Sequence, residues 1–406
     1  MVINKMKIKD IVAREILDSR GNPTVEVDTI LESNVIGRYS VPSGASTGSK
    51  EALELRDLSN RFNKMGVSSV VDKINNELKY EIIGENVFNQ KKIDKILINK
   101  DGTKNKSKYG ANAILGISLS VLTAAANEKK IPIYKYVGNG RILPRIMVNI
   151  INGGRHADNN LDFQEFMIIP INKSIKEQIQ MSAEVFHTLK KILKEKGLST
   201  NVGDEGGFAP KLGSIEEALD LIIYAIKKAN YKPRKDFYIA IDAAATEFYN
   251  GKKYIINGIS YTNKELKDYY LKLINTYPII SIEDPFAEND TRGFNMLMES
   301  TDIQIVGDDL FVTNKEILKK KHKYANTILI KPNQIGTYTE MLETIKYAKS
   351  KNMKTIISHR SGETENTIIA DLSVGLNLGQ IKCGSMSRVD RTAKYNQLIR
   401  IEENER

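Results

Sequence analysis

The chain has 406 residues and a mass of 45.7 kDa, so it can bury a large core and form more than one domain. A net charge of +10 indicates either an anionic partner or a general lysine bias, and we favour the bias because the lysines are spread along helix-like segments. One cysteine excludes an internal disulfide, and the sequence has neither a signal-peptide pattern nor 18 successive apolar residues, which predicts a soluble cytoplasmic protein.

The N-terminal third predicts an α+β unit. Residues 5–40 have the pattern of a β-meander, and helical patterns follow at 66–83 and 109–130. The small polar segment 41–57, VPSGASTGSKEALELRD, is a candidate lid, and it lacks the Walker spacing that a nucleotide site needs. We predict an N-terminal capping domain over 1–135 with a mobile lid loop at 41–50, followed by a barrel over 136–406.

Two glycine-containing polar segments come next. Residues 152–170, NGGRHADNNLDFQEFMIIP, carry His156, Gln164 and Glu165. Gln164 and Glu165 are neighbours in a strand, so both point inward only at a bulge or a strand end. Residues 201–210, NVGDEGGFAP, place Glu205 between glycines, where an enclosed carboxylic acid is expected to have the raised pKa of a general acid.

Six apolar runs farther along the chain each end in polar side chains, with helix-like stretches between the later ones. The ends are Asp242, Glu283, Asp308, Lys331, then His359 with Arg360 and Ser361, and Lys382. Successive ends from Glu283 to Lys382 are 25, 23, 28 and 23 residues apart, enough for one strand, one helix and two short loops. This repeat predicts a (β/α)₈ barrel, whose strand ends meet at one mouth and carry the site.

The strand ends combine carboxylates with cationic groups. Asp242, Glu283 and Asp308 repel one another unless a cation compensates them, and oxygen ligands favour magnesium or manganese over zinc. An anionic substrate with a phosphate or carboxylate suits the other ends: Lys331, His359, Arg360, Ser361 and Lys382. We expect Lys331 to have a lowered pKa and to act as a neutral base or a Schiff-base amine, and the residues leave both roles open.

The assembled motifs identify a family resemblance. AREILDSRGNPTVEVD, VPSGASTG, GDEGGFAP, SIEDPFAEND, IKPNQIGT, SHRSGETE and GQIKCGSMSR occur in collinear order, and the chain resembles enolases, the phosphopyruvate hydratases, of the bacterial type. The resemblance implies an α/β fold with a modified TIM-type barrel, ββαα(βα)₆, preceded by a smaller α+β domain. It also implies reversible dehydration of 2-phospho-D-glycerate to phosphoenolpyruvate in glycolysis and gluconeogenesis.

The resemblance also implies a role for each matching residue. Lys331 is the base, and Glu205 is the acid that helps the hydroxyl leave. Asp242, Glu283 and Asp308 hold one Mg²⁺, and Ser46 in the lid helps to hold a second, with Mn²⁺ as a substitute. The remaining residues bind the substrate, with Glu165 supporting Glu205: His156, Gln164, Glu165, His359, Arg360, Ser361 and Lys382. A homodimer is implied, with octamers in some members.

Several alternatives and departures stay open. Arg155 stands where a serine is expected, and Cys383, where a threonine is usual, is interpreted as a packing residue in preference to a nucleophile. The rival functions are another proton abstraction beside a carboxylate (a racemase or cycloisomerase), Schiff-base chemistry at Lys331, and a pure binding protein. SHRSGETE and GDEGGFAP argue against the first. A second role at the cell surface or in an RNA complex remains open, because the charge is unusually basic for the family.

Overall fold

The N-terminal part begins with a three-stranded antiparallel sheet. The computed structural model describes residues 6–45, 48–171 and 173–405. Within them the sheet has the order β1-β2-β3 and consists of β1 (Ile8–Leu17), β2 (Pro23–Leu31) and β3 (Ile36–Ser40). Gly21 and Asn34 lie in the two turns with φ of 76° and 65°, a region that glycine and asparagine tolerate well. The predicted meander is confirmed.

Helices cover one face of this sheet. They are α1 (Ser68–Lys73), α2 (Lys79–Ile82), α3 (Gln90–Asp101), α4 (Ala111–Glu128) and α5 (Ile133–Val137), and a π-helical turn, Ile74–Leu78, joins the first two. The helix α4 contains many small residues and contacts β2 and β3. A Cβ at Gly37 would lie 2.0 Å from the backbone nitrogen of Ala124, so glycine lets the strand and the helix approach closely.

The rest of the chain forms a closed eight-stranded barrel in the order β10-β11-β12-β13-β4-β5-β6-β9. The strands, including the small β7-β8 hairpin outside the barrel, are β4 (Arg145–Asn152), β5 (Glu165–Pro170), β6 (Phe237–Asp242), β7 (Tyr254–Ile256), β8 (Ile259–Tyr261), β9 (Ile279–Glu283), β10 (Gln304–Gly307), β11 (Thr327–Ile330), β12 (Lys354–Ser358) and β13 (Gly379–Lys382). Strand β5 runs antiparallel to β4 and β6, whereas the other barrel pairs are parallel. The modified barrel is confirmed, and the simpler all-parallel expectation is wrong at β5.

Helices surround the barrel, and two of them follow β5 before β6 begins. They are α6 (Ile175–Glu195), α7 (Ile215–Lys228), α8 (Asn263–Thr276), α9 (Thr291–Met298), α10 (Lys315–Lys321), α11 (Pro332–Ile335), α12 (Tyr338–Ser350), α13 (Ile368–Gly375) and α14 (Val389–Glu405). The start of α6 is fixed by a capping box between Ser174 and Glu177. Among the described residues, no helix is both long and apolar enough to cross a membrane.

An apolar layer fills the barrel interior. Its buried members come from six strands: Met147, Met167, Ile169, Ala240, Val306, Leu329 and Ile356. Side chains two residues apart on a strand share a face. The next inward-facing position on each strand, toward the C-terminal end of the parallel strands, therefore lies at the barrel mouth.

Candidate functional site

Polar side chains occupy the positions that follow the apolar layer. Asp242 comes two residues after Ala240, Asp308 two after Val306, and Lys331 two after Leu329. The strand register places Glu283 and Glu165 beside Asp242, one on each neighbouring strand. Lys382 is likewise in register with Ser358. The alternation of each strand thus directs these groups into one mouth.

One small cavity at the mouth contains most of the predicted site. It is lined by His156, Gln164, Glu165, Glu205, Asp242, Lys331, Ser358, His359, Arg360, Ser361 and Lys382. Ten of the twelve candidate residues that the structure describes are in this lining; Glu283 and Asp308 are not, but each contacts one of its lysines. Ser46, the predicted ligand of a second metal ion, lies outside the described residues.

The ammonium group of Lys382 lies among three buried carboxylates. Its Nζ is 2.9 Å from Asp242 Oδ2, 2.9 Å from Glu283 Oε2 and 3.0 Å from Glu165 Oε1. Burial disfavours the charged ammonium, but the three carboxylates outweigh that effect and hold the pKa of Lys382 well above its ordinary value. Lys382 therefore compensates the charge of these carboxylates.

Lys331 forms the second lysine–carboxylate pair, with Asp308. Burial acts to lower the pKa of Lys331, but the charge of Asp308 reverses this and leaves the pKa raised. The lowered pKa is expected for Lys331 beside positive charge and a metal ion, and for that state it stays a prediction; the contact with Asp308 by itself favours the ammonium. Asp308 also accepts a hydrogen bond from Gln334 Nε2 at 2.8 Å.

Oxygen ligands for a divalent metal ion are abundant at this rim. Ligand atoms of Asp284, Asp308 and Asp309 lie within 4.8 Å of one another, as do those of His156, Glu165 and Glu205. Asp242 and Glu283 instead share the Lys382 ammonium, and Asp308 pairs with Lys331. The all-oxygen donors Asp242, Glu283 and Asp308 suit a hard divalent ion, which would take the place of the ammonium groups. The particular triad Asp242, Glu283 and Asp308 stays a prediction.

Glu205 lines the same cavity and has nitrogen atoms around it. Its Oε2 accepts a hydrogen bond from Asn149 Nδ2 at 2.9 Å, and its Oε1 is 3.4 Å from both His156 Nδ1 and His359 Nε2. Burial alone raises the pKa of Glu205, but these neighbours outweigh it and hold the pKa well below the ordinary value. The expected raised pKa is found at Glu165 instead, where burial and the nearby Glu205 charge both favour the protonated form.

The pair Gln164 and Glu165 shows how adjacent residues both reach the cavity. Strand β5 begins at Glu165, and Gln164 precedes it, so the two side chains reach the cavity because they lie at a strand end and not because of a bulge.

Several buried polar atoms of the cavity lack a hydrogen-bond partner within the part of the chain that the structure describes: Gln164 Oε1, Glu165 Oε2, His156 Nδ1 and His359 Nε2. Because buried polar groups are normally hydrogen-bonded, this set indicates a polar ligand.

The segment predicted as a lid contacts the predicted phosphate-binding residues. Ala45 donates its backbone N–H to Ser361 Oγ at 2.6 Å, and Arg360 contacts Glu51 Oε2 at 2.9 Å. A Cβ at Gly44 would lie 1.8 Å from the Arg360 guanidinium, so only glycine permits this approach. Glu51 also accepts the N–H of Gly48 and a bond from Gln334, which links the lid to the Asp308 region.

The two departures from the family pattern lie outside the chemistry. Arg155 points to Glu247 at 3.2 Å on the surface, with its side chain 56% exposed. Cys383 is fully buried, and burial raises the pKa of its thiol to about 12, which agrees with a packing role.

The sequence analysis did not identify two residues that contact the site, Asn149 and Glu51. Asn149 could have been found, because it is two residues beyond Met147 on β4 and obeys the same alternation.

Comparisons with known proteins agree along the whole chain. Residues 8–137 match the family model of the enolase N-terminal domain, and residues 140–405 match that of the enolase C-terminal TIM barrel domain. A protein of Methanocaldococcus jannaschii called enolase is 54% identical to the chain, over 98% of this chain and 96% of that protein.

Proposed function

The chain belongs to the enolase family, and we propose from its site which residues carry out the family reaction. It is a phosphopyruvate hydratase, a hydro-lyase that reversibly dehydrates 2-phospho-D-glycerate to phosphoenolpyruvate. The observation that supports the residue assignment is that Lys331 and Glu205 line the same cavity. Those two groups are the base and the acid of the proposal.

The proton at carbon 2 is difficult to remove, because its loss beside an ionised carboxylate leaves a dianionic intermediate. Bound divalent metal ions would stabilise that charge by several kcal/mol each. We assign Mg²⁺, with Mn²⁺ as a substitute, to Asp242, Glu283 and Asp308, and a second ion to Ser46. The family implies a metal cofactor, and the carboxylate-rich rim supports this choice of ligands.

Lys331 acts as base only after it loses its own proton. Its pair with Asp308 opposes that loss, because the carboxylate stabilises the ammonium. A divalent ion held by Asp308 would weaken this stabilisation and would lower the pKa of Lys331. As a neutral amine, Lys331 takes the proton from carbon 2. The same group returns the proton in the reverse reaction.

Glu205 must carry a proton to help the hydroxyl leave. It is ionised in the site as it stands, while its neighbour Glu165 favours the protonated form. The charge of each carboxyl group affects the pKa of the other, so the two titrate as a pair that shares one proton. An anionic substrate between them raises the pKa of Glu205 and favours transfer of that proton to it. This is the supporting role of Glu165.

The remaining cavity residues bind the substrate. His156 and Gln164 line the side of the cavity that carries Glu205, and the other four, which hold the phosphate and carboxylate, are His359, Arg360, Ser361 and Lys382. Lys382 lines the cavity while it contacts Asp242 and Glu283. A metal ion held by those two carboxylates would compensate their charge and would leave the Lys382 ammonium available to the substrate anion.

We also propose the assembly, location and division of the chain. A homodimer, with an octamer as the alternative, a cytoplasmic location and a boundary between residues 135 and 136 follow from the family. The two family-model matches end at residue 137 and begin at residue 140, so they support a boundary a few residues after the proposed one. Binding to RNA or display at the cell surface is supported here only by the net charge of +10.

Turnover of 2-phosphoglycerate, followed as the rise in absorbance of phosphoenolpyruvate, tests the residue assignment. We expect activity with magnesium and none after chelation. Lys331→Ala and Glu205→Gln should each lose at least about 10²- to 10⁴-fold in kcat, the usual contribution of a general base or acid. Lys319→Ala, which removes a surface lysine paired with Glu316, is the control and should retain activity. Normal turnover by Lys331→Ala would refute the assignment.

A further inference from the structure

One fully buried arginine lies behind the cavity without lining it. Arg391, in the first turn of α14, is 0% exposed. Its Nη1 donates to His359 Nδ1 and, at 2.6 Å, to the carbonyl of Arg360. Its Nη2 donates to the carbonyl of Ser361 at 2.6 Å and of Asp204 at 3.2 Å. A single side chain thus holds the segment 359–361 against the loop that carries Glu205.

The contact with His359 fixes where the imidazole carries its proton. A guanidinium has only donors and keeps its charge, so His359 Nδ1 must accept. The proton of the neutral ring is then on Nε2, the atom that lies 3.4 Å from Glu205 Oε1 and has no close hydrogen-bond partner among the described residues. His359 therefore presents an N–H donor toward the cavity.

The neutral state of His359 agrees with this arrangement. Burial, followed by the charge of Arg391, lowers the pKa of His359 to about 4, against the opposing effect of Glu205. The charged groups that face the ring are Glu205, Arg391 and Lys382. A neutral ring with Nε2 protonated donates a hydrogen bond to an anionic substrate group, whereas the other tautomer would present a lone pair and repel it.

We propose that Arg391 is a positioning residue, which locks His359 as the Nε2–H tautomer so that this histidine donates to the substrate anion. The proposal rests on the proposed function for the identity of that anion. A merely structural arginine would hold the backbone of residues 359–361 equally well. It would have no effect on the tautomer, so the tautomer separates the two roles.

The test is NMR of the full-length protein labelled with ¹⁵N-histidine. The chain has four histidines, and a His359→Gln variant assigns the signal of interest. Wild type should show His359 with an unprotonated Nδ1 and a protonated Nε2. Arg391→Met should show mixed tautomers or the opposite one, and its kcat/KM for 2-phosphoglycerate should fall about 10- to 100-fold. Arg391→Lys, which retains a cationic donor, should restore the Nε2–H tautomer at least in part.

Lys394→Met is the matched control. Lys394 is buried on the same helix and contacts Glu363 Oε2 at 2.8 Å, with no bond to His359. We expect this variant to lose stability and keep the wild-type tautomer. If Arg391→Met keeps the tautomer, the proposal is wrong. If it does not fold, the Arg391→Lys spectrum decides. The tautomer is read without substrate, so failure of 2-phosphoglycerate turnover in wild type would contradict the proposed function and not this contact.

Discussion

Replacing Lys382 by methionine tests the charge balance at the barrel mouth. The substitution keeps a long side chain but removes an ammonium that lies 2.9 to 3.0 Å from three carboxylates. All four side chains are at most 6% exposed, so solvent screens the lost interaction poorly. The carboxylates would then be left buried and facing one another without a counter-charge.

The size of the effect follows from that burial. Breaking a buried ion pair by removing one partner costs about 3–5 kcal/mol. An unfolding entropy of about 2.1 cal/mol/K per residue gives roughly 0.85 kcal/mol/K for the whole chain. The melting temperature of Lys382→Met should therefore fall by about 4–6 °C in the presence of a chelator, if the chain melts as one unit.

Calorimetric melts with a chelator and with magnesium measure this effect. Magnesium should raise the melting temperature of Lys382→Met more than that of wild type, because no ammonium competes with the ion for Asp242 and Glu283. Lys394→Met, which removes a buried ammonium at Glu363, is the control; it should lose stability that magnesium does not restore. Equal melting temperatures of Lys382→Met and wild type in chelator would refute the reasoning, and so would an equal response to magnesium.

Three further predictions concern pH, the thiol and the lid. The pKa of folded His359 is lowered from 6.5 to about 4, so its contribution to stability is full above about pH 6.5 and is lost as the pH falls toward 4. Denaturant titrations at several pH values should show that the free energy of unfolding of His359→Gln falls less between pH 6.5 and 4 than that of wild type. The same dependence of the unfolding free energy on pH in both proteins would contradict this. Cys383, whose pKa is raised to about 12, should react with a thiol reagent only after unfolding, so rapid labelling of the native protein would count against its burial. Glu51→Gln should raise KM about 10-fold or more by weakening the bond to Arg360, and steady-state kinetics with an unchanged KM would exclude a role for that lid contact.

The sequence predicts the fold well wherever local patterns determine it. The meander over 5–40 and the helix over 109–130 have the periodicity of their elements, and the structure has both. The spacing of the strand ends likewise predicts a shared mouth. The reversed direction of β5 follows from its connection to β4, residues 153–164, which contains no α-helix to return the chain for a parallel strand. Only the family resemblance predicted it.

The site could be predicted in its membership but not in its pairing. The alternation along each strand predicts that Lys382 and Asp242 reach the mouth. It does not say that the lysine enters the carboxylate cluster, that Asp308 pairs with Lys331 or that His156 and His359 lie beside Glu205. The last two contacts are why the pKa of Lys331 is raised and that of Glu205 is lowered. Arg391 lies in the first turn of a polar helix, and its hydrogen-bond partners are His359 Nδ1 and three backbone carbonyls, all 30 or more residues distant, so no sequence pattern marks it.

Exchange of the carbon-2 proton of 2-phosphoglycerate with deuterated water tests the central claim most directly, because it separates proton removal from loss of the hydroxyl. With magnesium, we expect Glu205→Gln to exchange this proton while forming little phosphoenolpyruvate, since Lys331 remains. We expect Lys331→Ala to do neither. Exchange in Lys331→Ala at the wild-type rate would contradict the assignment of Lys331 as the base and, with it, the proposed arrangement of the site.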